Sequence, residues 1–216
     1  DNGKTAVWKG DFNTQTQKLY CSTETVTVAD KIALKVTDGK YALAGQTTLS
    51  PIPFTYQGSI LSQLKESVLN PDLLAVKRAL KSIKSLELLS PHLIRKSAKA
   101  ADDVGVGGEK LSAFLASLPE AKKSIIIGRM KDFYPDFMDY QVSSIRSGWK
   151  KLLIEEKFKS LSEGSFFPPN LSTEARHIND GMLRLLTILA QTQTDHSFLL
   201  FDEIENGVNP ELVEKL

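Results

Sequence analysis

The stretch from Phe198 to Glu211 reads FLLFDEIENGVNPE, and the interpretation of the whole chain starts from it. Ser197 to Phe201 is a short apolar run, which predicts a central strand buried on both faces. Asp202 and Glu203 follow at its carboxyl end, the edge where open α/β sheets bind ligands. One such acid can hold Mg²⁺ through its water shell while the other accepts a proton from an attacking water. From this run alone, two acids that begin a solvated turn are an equally good interpretation.

An amphipathic helix precedes this run. Asn179 is a suitable N-cap, because its side-chain oxygen can accept a hydrogen bond from a backbone N–H of the first turn. Apolar residues then recur at helical spacing and predict one buried face, made of Ile178, Met182, Leu185, Leu186 and Leu189. Further on, Asn209-Pro210-Glu211 combines a cap, a proline and an acid, which predicts the start of another helix.

These two segments resemble the motifs of a known family. FLLFDEIENGVNPE resembles the Walker B strand and D-loop of ABC-type ATPase heads, and Ile178 to Leu186, INDGMLRLL, is similar to the ABC signature. The nearest group is the RecF/SMC-like ATPases, which are related to AAA and OLD proteins. Gly108 to Leu115 and Phe133 to Phe137 are similar to stretches of the helical insertion in that group. The resemblance extends over about Ser59 to Leu216 and is most specific in the C-terminal part.

The resemblance implies an ATPase that uses ATP and Mg²⁺. Asp202 would support the metal ion, and Glu203 would be the general base for the hydrolytic water. Asn206 and Gly207 would lie in the D-loop, along the interface of a homodimer formed by two heads. The parent protein would hydrolyse ATP at two composite sites, each built from both subunits.

The signature-like turn would complete the site of the other subunit. By the resemblance, Asn179, Asp180 and Gly181 would meet the γ-phosphate of a nucleotide bound to the partner. Unpaired N–H groups and the dipole favour an anion at a helix start whatever the family. Asn179 stands where the family usually has a serine, so the Asn179 side-chain amide would have to make the phosphate contact that the serine hydroxyl makes.

The phosphate-binding loop of this family has no match in the sequence. Walker A requires Gly-x-x-x-x-Gly-Lys-Ser/Thr. Gly3-Lys4-Thr5 is rejected as its remnant because a strand pattern follows instead of a helix, and the cluster Gly105 to Gly108 is interpreted as a turn before a helix. The chain is therefore expected to be a fragment that lacks Walker A. His92, His177 and His196 belong to no catalytic pattern.

The predicted fold class is α/β with mixed α+β character, an incomplete P-loop NTPase head of the ABC type. The expected parts are an antiparallel β subdomain at 1–58, a helical insertion at 59–136, and strands, signature helix and Walker B strand at 137–216. Local signals predict a hairpin at Asp38-Gly39 and a helix that begins near Pro71, with a stripe of Leu69, Leu73, Val76, Leu80 and Ile83. They also predict a helix at 120–133 with Ile125, Ile126, Met130 and Phe133 inward, strands at 138–145 and 149–158, and a loop at 161–173.

Composition limits the partners. The 216 residues carry 27 basic and 26 acidic side chains, so no overall field attracts nucleic acid or an anionic membrane. DNA is a partner by family analogy only. Cys21 is the single cysteine, no signal peptide is visible and no apolar run reaches the length of a bilayer, which predicts a cytoplasmic protein with no membrane contact. Two alternatives stay open: a non-catalytic interaction module on an ATPase-like scaffold, and the ATPase part of an OLD-like nuclease.

Overall fold

A computed structural model describes residues 3–12, 21–88, 90–157, 170–196, 198–202, 204 and 212. The chain divides into two compact units, Asp1–Ser82 and Ile83–Leu216. This division falls after residue 82, whereas the boundaries predicted from the sequence fall after residues 58 and 136. Helices and strands occur in both units, so the predicted mixed α and β content is confirmed. No helix in the described ranges is long and apolar enough to cross a membrane.

The first unit is built on a five-stranded antiparallel sheet whose strands follow chain order. The strands are β1 (Ala6–Phe12), β2 (Cys21–Val28), β3 (Lys31–Thr37), β4 (Lys40–Leu43) and β5 (Ser50–Pro51). Asp38 and Gly39 join β3 to β4 with φ angles of 47° and 69°. A two-residue hairpin turn requires positive φ at both positions, so the predicted hairpin is confirmed.

Two helices cover one face of this sheet, α1 (Ile60–Gln63) and α2 (Pro71–Lys81). The predicted start of α2 is confirmed, because the Asn70 side chain accepts the Leu73 N–H at 2.8 Å and Pro71 occupies the first turn. The last two residues of the predicted apolar stripe do not belong to the buried face of α2. Leu80 is 38% exposed, and Ile83 lies in the next strand after the helix has ended at Lys81.

A buried carboxylate joins the sheet to α1. Glu24 on β2 is fully buried and accepts the Trp8 indole N–H at 2.8 Å and the Ile60 backbone N–H at 2.9 Å. The Ser59 hydroxyl also donates to it. A buried charge is costly unless donors surround it, and three donors converge on this one. Glu24 therefore fixes the entry into α1 relative to β1 and β2.

Replacing Glu24 should destabilise the first unit more than an exposed acid would. In Glu24→Leu the donors of Trp8, Ser59 and Ile60 lose their acceptor, and we expect a loss of roughly 3 kcal/mol of unfolding free energy. Urea unfolding followed by circular dichroism measures this loss, with Glu66→Gln as the control because Glu66 is exposed. Equal midpoints for Glu24→Leu and the control would contradict the assigned role.

The described part of the second unit contains two separate sheets. Strands β7 (Phe137–Ser144), β8 (Lys150–Lys157) and β9 (Asn170–Glu174) form an antiparallel sheet, and β6 (Ile83–Leu86) pairs in parallel with β10 (Phe198–Phe201). The helices are α3 (Pro91–Ile94), α4 (Leu111–Ser117), α5 (Glu120–Phe133) and α6 (Asp180–Gln191). Both sheets contribute to one apolar core around α6, since Leu86, Ile154 and Leu185 belong to the same buried cluster.

Most local predictions for this unit are confirmed. The β7–β8 hairpin forms where expected, with φ of 60° at Ser147 and 79° at Gly148 in its turn. Helix α5 has the predicted bounds and ends before Pro135. The prediction that Ile125 faces inward is wrong, because this residue is 52% exposed. The inward face of α5 is made of Ile126, Met130 and Phe133. Ile125 lies one position before this stripe, and its side chain is directed away from the core.

Two further predictions are wrong. The loop predicted at 161–173 is wrong at 170–173, which belong to β9 and pair with β8, while 161–169 lie outside the described residues. The strand before Asp202 is not buried on both faces, because Phe198 is 62% and Leu200 is 55% exposed. In the described part of the chain, β10 has β6 as its one strand neighbour, and no layer covers this face. Leu199 and Phe201, on the opposite face, are partly buried.

Candidate functional site

The candidate site lies at the carboxyl edge of the parallel pair β6–β10. Phe201 is the register partner of Leu86, so Glu87 and Asp202 follow the two strands side by side. Both acids are exposed. This edge of a parallel sheet is where side chains and loops of α/β proteins meet their ligands. The position that the sequence predicted for Asp202 relative to its strand is therefore present.

The loop Gly105 to Gly108 contacts the residue that follows β6 at the same edge. The Glu87 backbone N–H donates to the Val106 carbonyl at 2.8 Å. The Glu109 carboxylate accepts the Gly107 N–H at 2.9 Å and occupies the space that a side chain at Gly105 would need. The loop is filled by a carboxylate of its own chain and leads into α4, in agreement with its interpretation as a turn.

Helix α6 begins as predicted. The Asn179 side chain accepts the Met182 N–H at 2.7 Å, which caps the helix. Asn179 and Asp180 are exposed, whereas Gly181 is buried within its own unit. Two of the three residues assigned to a partner's γ-phosphate thus lie on the surface, and Gly181 does not.

Arg95, a cation that the sequence pattern did not predict for the site, holds this turn. Arg95, directly after α3, donates through Nη2 to the Ile178 carbonyl at 2.6 Å and to Asp180 Oδ1 at 2.5 Å. The Arg95 side chain is 22% exposed and that of Asp180 is 48% exposed. Arg95 is distant from Asp180 in sequence and lies in no recognisable motif, so no sequence signal pointed to this pair.

A second arginine lies close to Asp202. Arg184 is 6% exposed and shares a cavity of about 10 Å³ with the acid. The remaining residues that line this cavity are Leu88, Ile188, Phe201 and Ile204. A volume of this size corresponds to about one water molecule. The signal for Arg184 was in the sequence, where it is the one charged residue within the apolar run from Met182 to Ala190.

Metal binding at this edge would depend on few protein ligands. Among the described residues, no group of three or more His, Cys, Asp or Glu side chains could hold a metal ion. Mg²⁺ commonly takes one or two carboxylates and completes its shell with water and phosphate oxygens. Asp202 fits that limited role. Glu203, Asn206 and Gly207, and the helix predicted at Asn209, lie outside the described residues.

The single cysteine belongs to the first unit and is not suited to nucleophilic chemistry. Cys21 is buried in the first unit. Burial, followed by the negative charges of Glu24 and Asp11, raises the pKa of its thiol to about 11. The thiolate is the reactive form, so a thiol with this pKa is inert at neutral pH.

Comparison with known proteins adds no further constraint. No family model matches the sequence, and neither a curated protein nor a solved structure matches the chain. What the site does must therefore be argued from its own residues.

Removing the cap of α6 should cost stability in a graded way. Asn179→Ala leaves the Met182 N–H without its acceptor, and we expect a loss of about 1 kcal/mol of unfolding free energy. Asn179→Ser keeps a side-chain acceptor and should remain close to the wild type. Thermal and urea unfolding followed by circular dichroism compare the three proteins. If Ala and Ser variants were equally stable, the cap would have no energetic role.

Proposed function

We propose that this chain is part of an ATP-binding and ATP-hydrolysing head of the ABC type, similar to RecF/SMC-like ATPases. The observation that carries the proposal is the location of Asp202. It follows a strand paired in parallel, and it shares a cavity with Arg184 of the signature-like helix α6. The acid and the helix that resemble Walker B and the signature are thus neighbours in space as well as in sequence order.

The chemistry of the proposed site is divided among its residues. Asp202 would hold Mg²⁺ through water, and Glu203 would accept the proton of the attacking water. The exposed start of α6, at Asn179 and Asp180, offers the positive end of the helix dipole to a phosphate bound by a second subunit. When bound, Mg²⁺ would neutralise phosphate charge. A cytoplasmic location and a homodimer of heads belong to the same proposal.

The chain alone should bind nucleotide poorly. Its sequence contains no Gly-Lys-Ser/Thr loop of the Walker A spacing, so it lacks the lysine and the backbone donors that surround the phosphates. Isothermal titration calorimetry of residues 1–216 with Mg-ATP should show no saturable binding in the micromolar range. A micromolar affinity would mean that the chain holds a phosphate site of a different kind.

The role of Glu203 can be tested in a longer protein that contains this chain and a Walker A loop. Glu203→Gln should retain ATP binding and lose turnover by about 10²-fold or more, because the water loses its general base. Glu87→Gln is the matched control, since Glu87 is an acid at the same edge. Unchanged hydrolysis in Glu203→Gln would remove Glu203 from this role. A loss of equal size in Glu87→Gln would assign the effect to the charge of the edge.

The alternative is a non-catalytic interaction module on an ATPase-like scaffold. Its supporting observation is the Arg95–Asp180 pair. At the start of α6, the position proposed for a partner's phosphate, the chain's own Asp180 carboxylate already pairs with Arg95. Sequence upstream and downstream decides between the proposals. A Walker A loop favours the ATPase, its absence from the complete protein favours the module, and acids at metal-binding spacing after Leu216 favour an OLD-like nuclease.

A further inference from the structure

The first unit contains a cavity of about 150 Å³, distant in sequence from the signature-like and Walker B-like segments. It is lined by Ser59, Leu61, Ser62, Lys77, Leu80 and Lys81, from the start of α1 to the end of α2. Leu61 and Lys77 are buried and form the inner wall, whereas Ser62, Leu80 and Lys81 are exposed and form the rim. An engineered cavity of this volume in another protein admits benzene.

The two serine hydroxyls of the lining are engaged with the protein. The Ser59 hydroxyl donates to the buried Glu24 carboxylate and accepts the Leu61 N–H at 3.0 Å. The Ser62 hydroxyl donates to the Ser59 carbonyl at 2.7 Å. Their donor hydrogens are therefore not available to a ligand, although both residues line the cavity.

The buried lysine is engaged in the same way. Lys77 Nζ donates to the Ser62 carbonyl at 3.0 Å and to the Leu64 carbonyl. Burial, together with the neighbouring charge of Lys81, lowers the pKa of Lys77. Its ammonium group satisfies carbonyls at the end of α1, and its aliphatic stem remains as cavity wall. The inner wall is thus apolar in character, even though four of the six lining residues are polar.

The rim carries a cation that can meet a ligand. Lys81 is exposed, and none of the salt bridges between described residues includes it. An ammonium group at the mouth of an apolar cavity favours a ligand with an apolar body and an anionic end. Such a ligand should bind more tightly than a neutral molecule of the same size, because the neutral molecule contacts only the apolar wall and forms no ion pair with Lys81.

We propose that this cavity binds small monocarboxylates with an apolar body of about one ring. The ring occupies the space between Leu61 and Leu80, and the carboxylate pairs with the Lys81 ammonium. The proposal does not depend on nucleotide chemistry, because every residue involved lies in the first unit.

Benzoate is the probe, and benzyl alcohol is its neutral counterpart. Ligand-observed NMR and calorimetry on residues 1–216 should show saturable binding of benzoate that is tighter than that of benzyl alcohol. Lys81→Gln should weaken benzoate binding about threefold to fivefold, the effect expected for an exposed ion pair, and leave benzyl alcohol unchanged. Lys35→Gln is the matched control, since Lys35 is exposed on β3 and does not line the cavity.

A steric variant locates the binding. Leu80→Phe adds volume at the exposed rim and should abolish binding of both ligands, with circular dichroism and the melting temperature confirming that the protein is folded. If this variant does not fold, Lys81→Glu replaces it and should remove benzoate binding by repulsion. Absence of benzoate binding to the wild type overturns the proposal. So does equal binding of the two ligands, benzoate binding that Lys81→Gln leaves unchanged, or benzoate binding that persists in the steric or charge-reversal variant.

Discussion

The structure of the second unit depends on the burial of helix α6. Every residue from Gly181 to Ile188 is buried, so the helix needs neighbours on all sides. Helices α3, α4 and α5 pack against it. The burial of α6 therefore fixes the position of two parts of the proposed site. It sets the position of the capped turn at Asn179, and it directs Arg184 towards the carboxyl edge where Asp202 follows β10.

The sequence was most informative where a few adjacent residues decide the backbone. Asp38-Gly39 determined a hairpin because the turn requires positive φ at both positions. Asn70-Pro71 and Asn179 determined helix starts because their side chains accept first-turn N–H groups. Tyr134-Pro135 determined a helix end. The same local logic placed Asp202 at the end of a strand, and this is the part of the candidate site that could be predicted.

What could not be predicted is set by partners remote in the chain. The periodicity around Ile83 suited a helix, but this residue pairs with Phe198 in a parallel sheet, and that strand comes from the other end of the unit. Burial of Glu24 depends on donors from β1 and from the start of α1. The Arg95–Asp180 pair likewise joins two helices that only the packing brings together. In each case a tertiary contact outweighed the local preference.

The outer face of the parallel pair bears directly on the proposed nucleotide chemistry. Parallel sheets are ordinarily covered on both faces, yet Phe198, Leu200 and Ile83 are exposed on this one. A further strand would extend this sheet at its edge, and a helix packed on it would bury that face; a phosphate-binding loop is itself the connection between a strand and a helix. In the proposed function this chain supplies Asp202, and the Walker A lysine and backbone N–H groups that bind the phosphates would come from an additional segment or subunit. The Arg95–Asp180 pair limits such a divided site, since an acid in the first turn already satisfies the dipole of α6 and would have to move aside for a partner's phosphate.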